Sequence, residues 1–360
     1  MSATVRTLPE LRTAIDAVDG EILHLLAERG RLAAEVGEVK RAADETNFYH
    51  PDRESEILRR LMAENPGPFS AEQIATIFRE IISAGLALEE PLQVAYLGPA
   101  GTFTQMAAQR HFGRAAVLQP TTGIAEIFRL VDRGQTQFGV VPVENSTEGS
   151  VNLSLDLLLD YPLHICGEVQ LRIVHNLVAK CSMDVIQRVY VHYQTRAQCR
   201  QWLAAHLPQV QLVDVPSNAV AAERASADAE GGAISTTVAA EAYDLEILAA
   251  GIEDNPENTT RFIVIGKINT RSTGNDKTSL VVAAANRPGS LHALLSPLAD
   301  AGISLTRIES RPTRSAVWEY VFYLDLLGHR QDAAIAPVLD ALAQQASFYR
   351  CLGSYPRAVF

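Results

Sequence analysis

The sequence predicts a multidomain chain: an all-α unit in front, an α/β unit in the middle and a small α+β unit at the end. Three observations carry this. Over the first 90 residues the apolar positions recur at helical spacing only. From Leu92 short β-rich runs alternate with helical stretches. Beyond a polar, breaker-rich segment at 268–277, the order becomes strand, helix, strand, strand, helix, strand. At 360 residues the chain is too long for one core, and the boundaries fall at 1–91, 92–268 and 277–360.

The helical unit opens with a single long helix from Leu8 to about Arg41. Leu11, Ile15, Val18, Ile22, Leu25, Leu26, Leu32, Val36 and Val39 follow its period, and Gly30 and Gly37 weaken it by roughly 1 kcal/mol each without ending it. A helix of that length needs something equally long beside it, which predicts a partner subunit. A second helix starts at "HPDRESEIL", with Pro51 suited to a first turn. In "FSAEQI", Ser70 and Gln73 make a capping box and Phe69 with Ile74 a staple, announcing a third helix that runs to about Glu90.

In the middle unit the strand runs are "LQVAYLG", "FGVVPVE", "LRIVHNLVA", "RVYVH", "GGAIST" and "RFIVIGK". Helical stretches are expected near 103–112, 123–133, 150–160, 195–206, 218–229 and 237–243. The span suffices for two lobes, and such folds bind ligands at strand ends and between lobes. The last unit reads strand 279–285, turn "NRPG", helix 290–301, strand 303–310, strand 316–326, helix 331–346 and strand 347–355, a ferredoxin-like βαββαβ order.

Composition removes several function classes. Hydrophobic content of 47% with 20% charged residues is that of a soluble globular protein. No apolar run is long enough to span a membrane. The first residues have neither the apolar core of a signal peptide nor the acid-poor character of a transit peptide. Cys166, Cys181, Cys199 and Cys351 lack metal or redox spacing, so a reduced, cytoplasmic chain without metal or cofactor is expected. A net charge of −11 argues against nucleic acid or anionic membrane as partner.

Against that acidic background the basic residues of the helical unit stand out. Arg29 and Lys40, eleven positions apart, differ by only about 20° around a helix and share a face. Arg12 lies roughly 100° round and about 25 Å along from Arg29, so one helix cannot aim both at one small ligand, but two antiparallel copies can. The stretches "LPELRTAIDAVDGEILHLLAERGRLAAEVGEVK", "FYHPDRESEIL" and "FREIISAGLALE" together resemble the all-helical chorismate mutase fold. The resemblance implies rearrangement of chorismate to prephenate in a dimer. Such a pericyclic step needs no nucleophile, only a held conformer and donors to the breaking ether oxygen. It further implies that Arg12 of a second copy, Arg29 and Arg53 hold carboxylates, that Lys40 donates to the ether oxygen, and that Glu54 accepts from the substrate hydroxyl. His50, Gly85 and Glu89 occupy the remaining site positions, where relatives often carry Asp, Ser and sometimes Gln. A Glu can donate only when protonated, so mutase activity is expected to rise toward acid pH.

In "GPAGTFT" a glycine turn opens a helix, so backbone N–H groups and the Thr102 and Thr104 hydroxyls are placed to face an anion; no P-loop lysine is present. With "VPVENSTEGSV", "VHYQTRAQC" and "TTRF" in this order, the unit resembles prephenate dehydratase, whose implied two-lobed fold is periplasmic-binding-like. The implied reaction is loss of carbon dioxide and hydroxide from prephenate to give phenylpyruvate, with Thr260 donating to the departing oxygen and Arg261 pairing with a carboxylate. Glu144, Asn145 and Gln198 are expected pocket members, whereas His175 and His192 read as core histidines.

Finally, "NRPGSLHALL" followed by "IESRP" resembles an ACT domain. Gly289, Ser290, Leu291, Glu309 and Ser310 are the implied effector positions, with L-phenylalanine as feedback inhibitor bound between two copies, as a homodimer or a pair of dimers. Two alternatives stay open from sequence: arogenate as the second substrate, or a non-catalytic amino-acid sensor.

Overall fold

The computed structural model describes residues 6–45, 47–285, 287–312 and 320–359. The front unit is α1 (Leu8–Ala42), α2 (Pro51–Ala63) and α3 (Ala71–Glu89). Thr7 with Glu10, and Ser70 with Gln73, form reciprocal capping boxes that satisfy the first free N–H groups of α1 and α3. α3 packs against both α1 and α2. The front of α1 is uncovered: Leu11, Ile15, Val18 and Ile22 stay 42%, 58%, 53% and 47% exposed, an apolar stripe one chain leaves unpaired.

The middle unit begins with β1 (Gln93–Leu97), α4 (Phe103–Phe112), β2 (Val117–Thr121), α5 (Ile124–Asp132), β3 (Phe138–Asn145), β4 (Gly149–Ser150), α6 (Asn152–Asp160) and β5 (His164–Arg172). It then crosses into a second lobe, β6 (Asn176–Ala179), β7 (Arg188–His192), α7 (Tyr193–Gln198), α8 (Arg200–His206), β8 (Gln211–Val215), α9 (Asn218–Ser226), β9 (Gly231–Ser235), α10 (Thr237–Ala242) and β10 (Glu246–Ala249). β11 (Thr259–Gly266) returns to the first lobe. The sheets run β2-β1-β3-β11-β5 and β10-β6-β9-β7-β8, so the lobes are joined by two crossings, 173–175 and 250–258. The run "LRIVHNLVA" is therefore not one strand: its ends belong to different sheets, and the uniform apolar pattern hid the crossing. β2, β8 and β10 were not legible either. The first two are half-exposed edge strands with little apolar signal, and β2 carries Pro120.

The last unit is β12 (Asp276–Ala283), α11 (Ser290–Asp300), β13 (Leu305–Pro312), β14 (Tyr320–Leu327), α12 (Ala336–Gln345) and β15 (Phe348–Pro356), an antiparallel sheet ordered β13-β14-β12-β15. The front of the expected strand 316–326 and Asn286 of the expected turn lie outside the described residues. α11 and α12 cover one face of this sheet through Leu294, Leu298, Leu339 and Leu342. The other face lies on the first lobe, where Val281, Tyr323, Leu352 and Tyr355 join the core built by α5, α6 and β3. At Gly353 a Cβ would lie 2.1 Å from the Ile165 carbonyl oxygen, so only glycine admits this approach of β15 to β5.

The helical unit docks on the same lobe. Tyr49 is 2% exposed, its ring centroid 5.3 Å from Phe112 and 5.2 Å from Phe138. Among the described residues no helix is long and apolar enough to cross a membrane.

Candidate active sites

Close packing of α1 on α3 brings together Arg29, Lys40, Gly85 and Glu89. Lys40 Nζ lies 2.8 Å from Glu89 Oε2 and donates to the Phe48 carbonyl at 3.0 Å. Arg29 Nη1 donates to the Ile81 carbonyl at 3.1 Å. Two glycines make this approach possible. A Cβ on Gly37 would sit 3.0 Å from the Glu89 Cα, and one on Gly85 would sit 3.1 Å from Arg29 Nη1. Both lie mid-helix, where glycine lowers helix propensity, so close approach accounts for them.

Arg53 is exposed on α2, and half-buried His50 sits 3.5 Å from Glu45. Arg12 is exposed at the far end of α1, beyond reach of Lys40 in the same chain. Glu54, one position and about 100° round α2 from exposed Arg53, is 8% exposed in the single chain. Its carboxylate lies 3.3 Å from Arg79 Nε, lining a small cavity with Tyr49, Arg110 and His111. Burial raises its pKa while Arg79 pulls it down.

The second site lies between the lobes, at the end of β3 and the start of β11. Thr260 is 8% exposed, and its Oγ1 receives a hydrogen bond from Asn145 Nδ2 at 2.8 Å. The orientation of that amide follows from its other partners: Asn145 Oδ1 accepts from the backbone N–H groups of Thr147 (2.9 Å) and Glu148 (3.0 Å). The second lobe contributes Gln198, whose Oε1 accepts from Asn258 Nδ2 at 3.2 Å and lies 2.8 Å from His175 Nε2. His175, on the first crossing, is 1% exposed, and Phe103 stands edge-on to its ring at 5.6 Å. Burial lowers its pKa, so it is neutral and donates through Nε2 to the Gln198 oxygen. His175 and Asn258 are thus cleft residues that motif reading passed over, although strand period places Asn258 on the same face as Thr260. Among the described residues no cluster of three His, Cys, Asp or Glu could hold a metal ion.

At the glycine turn, the Thr102 hydroxyl donates to the Leu97 carbonyl at 2.8 Å and caps Gln105 N at 3.4 Å, so it is used within the loop. Thr104 is buried in the first turn of α4. The unpaired donors that remain belong to the first-turn backbone. The turn also touches the second lobe, where the Thr236 hydroxyl donates to the Gly101 carbonyl at 2.7 Å.

Arg261 and Glu144 do not face this cleft, because neighbours along a strand point to opposite faces. Thr260 and Asn145 point into the cleft, while Arg261 and Glu144 point at the C-terminal unit. Arg261 lies 3.0 Å from Glu168, donates to Tyr355 Oη at 2.8 Å and pairs with Asp325. Glu144 lies 3.1 Å from Arg307. The expected role of Arg261 toward a substrate carboxylate is therefore replaced by one in the interdomain ion network, which Lys277 completes at 2.8 Å from Glu168.

In the last unit, Gly289 and Leu291 flank Ser290 at the start of α11. The Ser290 hydroxyl is buried and has no hydrogen-bond partner among the described residues. Ser310 is exposed on edge strand β13. Glu309, its neighbour, falls on the opposite face, 4.0 Å from Arg307, so the two side chains cannot serve one ligand within one chain.

Comparison with known proteins finds matches along the whole chain. Family models match as chorismate mutase type II over residues 11–90, prephenate dehydratase over 94–270 and ACT domain over 278–344. The chain is 50% identical to a bifunctional chorismate mutase/prephenate dehydratase of Stutzerimonas stutzeri, over 98% of both chains. It is 49% identical to the protein of that description from Pseudomonas aeruginosa, again over 98% of both. A solved prephenate dehydratase from Arthrobacter aurescens, in complex with L-Phe, superposes with a TM-score of 0.69 at 35% identity, covering 74% of this chain and 90% of that one. The chain belongs to the bifunctional chorismate mutase/prephenate dehydratase family.

Proposed function

We propose that the two reactions run at the two sites described, the mutase between α1 and α3 and the dehydratase at Thr260, with L-phenylalanine acting through the C-terminal unit. The enzyme converts chorismate to prephenate and prephenate to phenylpyruvate. In the first reaction Arg29, Arg53 and a second copy's Arg12 hold the dicarboxylate in its reactive conformer. Lys40 donates to the breaking ether oxygen. His50 and Gly85 border that site.

The exposed apolar stripe of α1 supports a homodimer. If each site borrows Arg12 from the other chain, mixing inactive Arg12→Ala and Arg29→Ala proteins restores about a quarter of wild-type mutase activity, because half the dimers hold one complete site. No recovery on mixing contradicts a shared site.

In the second reaction the bond to the departing carboxylate breaks, its electron pair enters the ring, and hydroxide leaves and takes a proton to become water. Aromatisation drives the step. The Asn145–Thr260 contact carries this assignment: Thr260 Oγ1 already accepts a hydrogen bond from Asn145, so its own proton is directed elsewhere, as a donor to the leaving oxygen. The first-turn backbone N–H groups of α4, in the turn that Thr102 caps and that contains Thr104, face a substrate carboxylate. Replacing Thr260 by Val tests the assignment: loss of one transition-state donor is worth about 100-fold in rate. Phenylpyruvate formation should fall by that factor while mutase activity is unchanged; undiminished formation refutes it.

The buried Ser290 hydroxyl at the start of α11, without a partner among the described residues, supports an effector site there, with Gly289, Leu291 and Ser310, for the L-Phe seen in the Arthrobacter aurescens structure. Prephenate is favoured over arogenate because the mutase on the same chain makes it. Four free thiols fit a cytoplasmic setting.

A further inference from the structure

We propose that Asn258 is a positioning residue for the dehydratase reaction: it holds Asn145 against Thr260 and ties both to the second lobe. The inference rests on the assignment of Thr260 above and extends it. Asn258 is 1% exposed and stands two residues before Thr260, on the same face. Its backbone is committed elsewhere, the carbonyl accepting from Ile173 N at 2.8 Å and the N–H donating to Asn255 at 3.3 Å. Only the side chain faces the cleft.

That side chain completes an otherwise unmatched amide. Asn145 spends its oxygen on two backbone N–H groups, leaving two N–H donors on Nδ2. One goes to Thr260 Oγ1 at 2.8 Å and the other to Asn258 Oδ1 at 2.9 Å. Asn258 Nδ2 then donates to Gln198 Oε1, which His175 Nε2 also reaches. The chain of contacts runs from His175 on the crossing, through Gln198 of the second lobe and Asn258, to Asn145 and Thr260 of the first. Lobe closure and the aim of the Thr260 proton are therefore set by the same hydrogen bonds. Without the Asn258 acceptor one Asn145 N–H is left unmatched and the amide is held only through its oxygen and Thr260, so its aim at Thr260 Oγ1, and that of the Thr260 proton at substrate, loosens.

Full-length Asn258→Ala and Asn258→Asp variants test this, with phenylpyruvate formation, prephenate formation and thermal midpoint measured on each. For Asn258→Ala the dehydratase kcat should fall about tenfold or more with KM within about threefold, and mutase activity should stay at wild type. In Asn258→Asp the neutral carboxyl keeps one acceptor and one donor in the amide's place, whereas the ionised form cannot donate to Gln198. The ratio of variant to wild-type kcat should therefore rise as pH falls. The charged and titratable groups nearby, Glu148, His175, Glu253 and Arg172, are common to both proteins and cancel in that ratio. An Asn258→Ala kcat within about twofold of wild type overturns the proposal, as does a ratio flat with pH. A fall in thermal midpoint that accounts for all lost activity also overturns it, in favour of a purely structural role. If the wild-type chain itself fails to dehydrate prephenate, the assignment of Thr260 falls first and this one with it.

Discussion

Replacing Arg261 by Met separates two roles for the arginine beside Thr260. Arg261 is 11% exposed and touches Glu168, Asp325 and Tyr355. Removing its charge leaves Glu168 its bond to Lys277 at 2.8 Å and its contact with Ala358 N at 3.3 Å. Among the described residues Asp325 keeps only the Ser279 hydroxyl as a side-chain donor and loses its direct ion pair, with Arg307 left as the more distant positive charge. Breaking a buried pair on one side costs about 3–5 kcal/mol, most of it the stranded charge. At roughly 2–4 °C per kcal/mol for a unit of this size, the midpoint of dehydratase unfolding should drop by about 6 °C or more. Adding Asp325→Asn removes the stranded charge and should recover roughly half of the loss. The assay is thermal unfolding followed by residual phenylpyruvate formation, with KM for prephenate measured well below the transition. KM should change little. A variant of native stability whose KM rises about 100-fold would instead place Arg261 on a substrate carboxylate and refute the interdomain role.

Other consequences are simpler to check. Gly37→Ala adds a methyl where only 3.0 Å separates the site from the Glu89 Cα. Overpacking of about 1–3 kcal/mol outweighs the roughly 1 kcal/mol gain in helix propensity, so chorismate turnover should fall while prephenate dehydration is unaffected. Because Glu89 can donate to the ether oxygen only when protonated, mutase kcat/KM should rise toward acid pH, and Glu89→Gln should flatten the profile. Burial alone would raise the pKa of Asp325, but Arg261 and Ser279 hold it below the ordinary carboxylate value. A depressed carboxylate contributes stability fully above its unfolded value near about 3.9 and loses it as pH falls through the lower folded one. Below about pH 4, then, the thermal midpoint of wild type should fall more steeply than that of Asp325→Asn.

The elements that were legible from sequence are those whose signal is local. Helical spacing and the Ser70–Gln73 box mark α1 and α3, and "TTRF" locates Thr260. Contacts between units left no local mark. Arg261 and Glu144 carry the residue types of a substrate pocket, and only the alternation of strand faces, applied to residues 144–145 and 260–261, turns them toward the C-terminal sheet. The pairing of Glu54 with Arg79 left no local mark either, since it joins two helices. Gly37 reads as a helix defect, and Gly85 as a site position where relatives often carry Ser, until the approach of α1 to α3 is known. His175 was set aside as a core histidine because its run looked like one continuous strand rather than a crossing between lobes.

The most direct measurement is phenylpyruvate formation from prephenate by the full chain, with and without L-phenylalanine, alongside a Ser290 variant unable to donate. Turnover that L-phenylalanine suppresses in wild type and suppresses less in Ser290→Ala is the expected result. No phenylpyruvate from prephenate under either condition contradicts the central claim.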